Sequence, residues 1–183
     1  MIIRPAEMQD VPAILRLWNP IIQTTFMTFT SEEKTARALG EMIVVRRAAG
    51  QEFWVVEEGV VMGFATYTQF RGGSGYAHAM EHTIILAPEA RGRGTGRRLM
   101  ADVEAHARTG GAHTMFACVS GENHDGVGFH ERIGYKVMAR IPEVGRKFGR
   151  WIDLVMMMKP LSRGLGCTSV PPSEGAEMPQ TYP

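Results

Sequence analysis

The sequence predicts an α/β chain, one mixed β-sheet with helices on its faces. Three observations carry this. Some stretches repeat apolar residues at a helical period, as with Leu99, Met100 and Val103. Others are short, apolar and bounded by glycine or proline, as strands are. The two kinds follow one another as strand, two helices, three strands, helix, strand, helix and two strands. That order requires both meander and crossover connections, hence a mixed sheet.

In order, Ile2 and Ile3 start a strand that Pro5 ends. Asp10 is expected to cap a helix with Pro12 in its first turn, where a missing N–H costs little. Ile14, Leu17 and Trp18 form its apolar face, and residues 19–30 read as irregular. Thr30 and Glu33 have the spacing of a capping box for a second helix, closed by Gly50. Residues 53–57 and 60–70 read as a hairpin about Glu58-Gly59, followed by a loop over residues 71–75. Residues 77–86 read as a strand stopped at Pro88, residues 94–109 as a helix, and residues 113–119 as a strand. A short helix over 123–133 and strands over 135–141 and 151–158 complete the domain, residues 1–160. Residues 161–183 hold Pro171, Pro172, Pro179 and Pro183 with no apolar period, so a disordered tail is expected there.

The 183 residues suggest one domain, and 44% hydrophobic with 21% charged residues lies in the globular range. A formal net charge of +1 gives no electrostatic case for nucleic acid or an anionic membrane. The longest apolar runs fall far short of the roughly 18 residues of a spanning helix. No charged region followed by an apolar stretch opens the chain, so no signal peptide is expected. Cys118 lies in an apolar run and Cys167 in the polar tail, a usage that fits a reducing cytoplasm. No cysteine pair or His-Glu-x-x-His pattern occurs, and no metal is expected. The Met156-Met157-Met158 run reads as core.

The strongest chemical signal is Arg91-Gly92-Arg93-Gly94-Thr95-Gly96, between a strand and a helix. Alternating glycines let successive backbone N–H groups turn toward one point. The helix behind adds its positive end, and Arg91, Arg93, Arg97 and Arg98 add full charges. Such a site suits a pyrophosphate. A nucleotide-hydrolase loop would need Lys-Ser or Lys-Thr after its second glycine, and a dinucleotide fingerprint would need glycine where Arg97 stands. A glycine-rich connection with a solvated basic face is the other reading that spacing alone allows.

This motif resembles the acetyl-CoA loop of the GNAT acetyltransferase superfamily. Within it, residues 1–160 resemble the phosphinothricin and methionine sulfone (sulfoximine) acetyltransferases. The resemblance is carried by Ile3-Arg4-Pro5-Ala6, Trp18-Asn19, Glu81-His82-Thr83-Ile84-Ile85-Leu86, Asn123, His130-Glu131-Arg132-Ile133-Gly134-Tyr135 and Glu143 to Leu154. It implies a mostly antiparallel sheet with helices on both faces, acetyl-CoA as co-substrate, a small-molecule amine as acceptor and a homodimer. The co-substrate is expected at Arg91, Gly92, Arg93, Gly94, Thr95, Gly96, Arg97, Asn123 and the backbone of Ile84, Ile85 and Leu86. Gly126 and Gly128 are expected to loosen the helix after Asn123, at about 1 kcal/mol each.

The resemblance makes Glu81 the general base. An alkyl amine with a pKa near 10.4 is mostly protonated at neutral pH and must lose a proton before it attacks. Partial burial ahead of Ile84-Ile85-Leu86 would raise the Glu81 pKa toward working pH. From position alone the other reading is a strand carboxylate facing solvent, the commoner fate of a glutamate. His130 is either the acid that protonates the departing thiolate or a helix histidine that packs. Asn123 either bonds the pantetheine arm or caps its helix, and the two are compatible. Arg71, Tyr76, His82 and Lys147 are expected at the substrate pocket, Arg71 for a carboxylate, with Phe29 as a further lining residue. A solvated loop position is the other reading of Arg71, and a dimer contact the other reading of Lys147.

Overall fold

Strand pairing sets the frame on which everything else hangs. The computed structural model describes residues 1–162. Its strands are β1 (Ile2–Pro5), β2 (Phe53–Glu58), β3 (Val60–Gln69), β4 (Ala79–Leu86), β5 (Thr114–Ser120), β6 (Lys136–Lys147) and β7 (Arg150–Pro160). They form one sheet in the order β1-β2-β3-β4-β5-β7-β6. Only β4 and β5 are parallel; the other neighbours are antiparallel. The element order is the one the sequence predicts.

Helices α1 (Val11–Thr24) and α2 (Ala36–Ala48) cover one face. There Ile14, Trp18, Ile22, Leu39 and Ile43 bury against Phe53, Val55, Phe64 and Ile85. Helices α3 (Thr95–Thr109) and α4 (His124–Arg132) cover the other, where Leu99, Met100, Val103 and Val127 meet Val56, Ala65, Met80, Met115 and Val155. Strands β2, β3 and β4 feed both cores, because successive side chains alternate between the two faces.

Several local expectations are corrected. The second helix begins at Ala36, and Thr35 caps it by accepting a bond from the Ala38 amide at 3.1 Å. The proposed Thr30–Glu33 box does not form. Asn19 brackets Lys34 instead, donating to its carbonyl and accepting from its amide, both at 3.0 Å, and this holds the preceding chain out of the helix. Asp10 makes no capping bond to α1, because Arg4 holds its carboxylate at 2.7 and 2.9 Å and the Glu7 amide, which begins the short turn before α1, donates to it. Helix α1 does not stop near Trp18 but runs through Pro20 to Thr24, burying Ile22 completely. A lost helix hydrogen bond at proline is outweighed by that burial.

Strand β6 is also longer than expected. It continues past an irregularity between Ile141 and Gly145 to a two-residue hairpin, Phe148-Gly149, with φ of 47° and 76°. Two successive positive φ values give the turn whose twist matches antiparallel strands. Leu161, assigned to the tail, is buried in the core, with its amide on the His113 carbonyl and its carbonyl accepting from Arg108. The rest of the expected tail, beyond residue 162, lies outside the described residues.

Candidate active site

The site begins where β4 and β5 part. They pair only from Ala79 to Glu81 on β4 and from Thr114 to Phe116 on β5. Beyond Glu81, β4 keeps β3 as a neighbour but loses β5. The Ala79 carbonyl accepts from Phe70 and the Ala87 amide donates to Met62, so odd-numbered residues of β4 spend their backbone groups on β3. The N–H and C=O groups of Ile84 and Leu86 therefore face the gap. Those of Ile85 do not, which corrects its expected role as a backbone donor. The residue still lines the two cavities that flank the gap, with its side chain in the α1–α2 core.

One cavity, about 520 Å³, lies on the α3–α4 side of the gap. Its walls include Leu86, Gly92, Gly94, Thr95, Gly96, Arg97, Asn123 and Phe129. Gly92 and Gly94 have φ of 71° and 79°, a region glycine enters without penalty. Gly96 is a close approach: a Cβ there would lie 2.9 Å from the Phe129 ring and 3.1 Å from Leu86. These two kinds of glycine give α3 an open N-terminus seated tightly on the sheet. Arg91 and Arg97 line the cavity; Arg93 does not, because it pairs with Glu58 at 3.1 Å. Asn123 does cap α4, accepting from the Gly126 amide at 2.9 Å. Gly126 is a fit rather than a weakness, since a Cβ would come within 2.4 Å of the Asn123 amide group.

A second cavity, about 490 Å³, opens on the α1–α2 side. Met27, Thr28, Phe29 and Thr30 roof it, and Trp18, Lys34, Glu81, Cys118, Val144 and Leu154 line it. Phe29 can lie there because residue 145 is glycine; a Cβ would meet its ring at 2.6 Å. The two cavities share Ile84, Ile85, Asn123 and His130, together with Ile21 and Met27, so they meet at the gap in the sheet.

Glu81 faces the second cavity. Burial pushes its carboxyl above the ordinary value of 4.5, while a hydrogen bond from the Cys118 thiol and the Arg46 charge pull it back. Burial and the Glu81 charge push the Cys118 thiol up to about 12, so the thiol is the donor of that pair. Arg46 donates to the Thr66 hydroxyl at 2.6 Å, and burial lowers its guanidinium to about 10.

His130 lines both cavities, and its Nδ1 lies 2.6 Å from the Gly126 carbonyl. A carbonyl only accepts, so the ring proton sits on Nδ1 and Nε2 carries the lone pair. Burial keeps the ring neutral by lowering its pKa. His82, expected among substrate contacts, does line the second cavity, but it is only 6% exposed and its ring turns to the opposite face from Glu81, against His130 and Tyr135. Alternation along β4 requires that. Lys147 is 2% exposed and donates to the Thr28 carbonyl at 2.8 Å, so it holds the roof rather than facing the cavity. Arg71 and Tyr76 are exposed on the loop before β4 and line neither cavity. Lys34, Arg46 and Cys118 were not singled out from the sequence as site residues. Among the described residues no three His, Cys, Asp or Glu side chains are grouped to hold a metal ion.

Comparison with known proteins agrees with this geometry. Residues 13–135 match the model of the acetyltransferase (GNAT) family. The chain is 34% identical to an L-amino acid N-acyltransferase of Escherichia coli K12, over 86% of this chain and 92% of that one. It is 31% identical to an L-methionine sulfoximine/L-methionine sulfone acetyltransferase of Pseudomonas paraeruginosa, over 85% and 91%. Among solved structures, an acetyltransferase of Salmonella typhimurium with its cofactor acetyl-CoA superposes with a TM-score of 0.85. It is 31% identical, over 90% of this chain and 96% of that one.

Proposed function

We propose the following reaction for this chain, which belongs to the acetyltransferase (GNAT) family: an acetyl group passes from acetyl-CoA to the amine of a small amino-acid analogue. Acceptors are of the methionine sulfone, methionine sulfoximine or phosphinothricin type, with Glu81 as general base. One observation carries the reading. A cavity walled by a glycine-rich helix N-terminus meets, at a gap in the sheet, a second cavity that holds a half-buried carboxylate.

The fit is chemical as well as spatial. The open N-terminus of α3, with Arg91 and Arg97 beside it, suits a pyrophosphate. Ile84 and Leu86 offer strand N–H and C=O groups along the gap, which suit an amide-bearing arm. When bound, acetyl-CoA supplies an activated acyl carbonyl. A strand N–H in the gap stabilises the charge that develops on the acyl oxygen. Glu81 accepts the ammonium proton, directly or through a water, and so frees the lone pair that attacks. His130 donates to the departing sulfur only as imidazolium, which burial disfavours, so solvent is the better donor. A thiol with a pKa near 8.5 needs no stronger one. The homodimer implied by the family resemblance is part of this proposal. Met138, Val144, Phe148 and Trp151, exposed on the β6–β7 hairpin at the sheet edge, support it.

The test is turnover of acetyl-CoA with a panel of free amino-acid analogues and short peptides. Acetylation of the analogues is expected. Acetylation of peptides alone would replace the acceptor class and leave the family unchanged.

A further inference from the structure

The acceptor cavity contains a cation with no counter-ion. Lys34 lines it, and its Nζ lies 4.5 Å from the centroid of the Trp18 ring. Among the described residues Lys34 makes no ion pair. Its placement is built. Asn19 clamps its backbone on both sides, and the ring beneath its ammonium belongs to the residue just before that clamp. Arg46 stands near enough to oppose its charge and also near enough to Glu81 to attract the carboxylate. Lys34 lines this wall with Glu81, and Arg46, buried behind it on Thr66, makes a second cation near one acid. Placing a second cation where burial and a like charge both oppose it is unfavourable unless an anion completes the set.

We infer that Lys34, with Arg46 behind it, seats the carboxylate of the acceptor while Glu81 takes its ammonium group. The inference rests on the proposed reaction and narrows it to acceptors that carry a free acid group. It also moves the carboxylate seat away from Arg71, which lines neither cavity. A zwitterionic amino acid matches a site with a carboxylate and a cation on one wall. A neutral amine, or the amide of the same amino acid, leaves Lys34 unpaired.

The experiment compares methionine sulfone with its carboxamide as acceptors for the wild-type chain, Lys34→Met and Lys34→Arg. Methionine keeps the stem over Trp18 and removes the charge, and the Asn19 clamp on the backbone is untouched. KM for the acid is expected to rise about 10- to 100-fold in Lys34→Met, as for loss of one charge-assisted hydrogen bond. KM for the carboxamide should hold within about twofold, kcat should change little, and Lys34→Arg should recover part of the loss. Equal effects on acid and amide, or no effect on either, would overturn the inference. Thermal-shift binding of the same two ligands separates it from the reaction itself. If wild type acetylates neither ligand, the proposed reaction fails. The carboxylate seat then still stands if the acid alone stabilises wild type and not Lys34→Met, and falls if acid and amide behave alike.

Discussion

The rings of His82 and His130 lie 5.0 Å apart, centre to centre, one on a strand and one on a helix. Both nitrogens of His82 and Nε2 of His130 are buried without a hydrogen-bond partner among the described residues. Buried polar atoms left so are expensive, and charging such rings costs more still. Burial is the largest cause holding both imidazoles below the ordinary value of 6.5; His130 and Lys159 also oppose charge on His82. The pair is a neutral floor beneath the gap.

That neutrality sets a pH dependence of stability. In the unfolded chain both histidines take up protons as pH falls through about 6.5, while the folded chain resists them. The stabilisation due to neutral burial is complete above about 6.5 and is lost progressively below it, by up to about 1.4 kcal/mol per pH unit for each ring. Urea unfolding between about pH 5 and 8 should show this slope. His82→Leu should reduce it by about half, whatever it does to absolute stability. An unchanged slope would show that His82 titrates freely in the folded state.

Gly94→Asp tests the anion loop. No atom lies within 4 Å of a Cβ placed there, so the fold has room for the side chain. The backbone cost of φ 79° for a non-glycine residue is about 1–2 kcal/mol. The carboxylate would stand at the N-terminus of α3, where a phosphate is expected. Calorimetry should find acetyl-CoA binding largely lost with the melting transition retained. Intact affinity would remove the phosphate assignment.

Much of this site could be read from residue order, because it depends on local geometry. The glycine loop announces itself by spacing, and its place between strand and helix follows from flanking apolar periods. Alternation on β4 could have gone further. Glu81 and His82 are neighbours, so their side chains could not point to one face of the sheet, and the His82 ring belonged with Met80 on the opposite side. Lys34, Arg46 and Cys118 come from α2, its leader and β5, and only the tertiary fold brings them to Glu81. The Thr30–Glu33 pattern misled because the Asn19 clamp, a contact across 15 positions, overrides a local cap. The irregular look of residues 19–24 misled in the same way: that part of the helix is held by buried Ile22 rather than by propensity.

The exposed hairpin residues carry the dimer proposal. Sedimentation at micromolar concentration should find a dimer, and Trp151→Glu, which puts a charge on that edge, should shift it to monomer. Monomer alone for the wild type would refute the dimer.

The last prediction concerns Glu81. Glu81→Gln keeps size and polarity but removes the lone pair that accepts the ammonium proton. Turnover at neutral pH should fall by roughly 10²–10⁴, the range for loss of a general base. Acetyl-CoA affinity should barely change, because the glycine loop is on the other side of the sheet. The deficit should narrow toward pH 10, where about half of an amine with a pKa near 10 is already neutral. Cys118 supplies a second handle. Its thiol donates to the carboxylate and so pulls the Glu81 pKa down against burial. In Cys118→Ala that donor is gone and burial acts with less opposition. The base must be deprotonated to work, so the acidic limb of kcat/KM should move to higher pH in Cys118→Ala and vanish in Glu81→Gln. If Glu81→Gln turns over near the wild-type rate at neutral pH, Glu81 is not the base, and His82, His130 or a water relay is left to take its place.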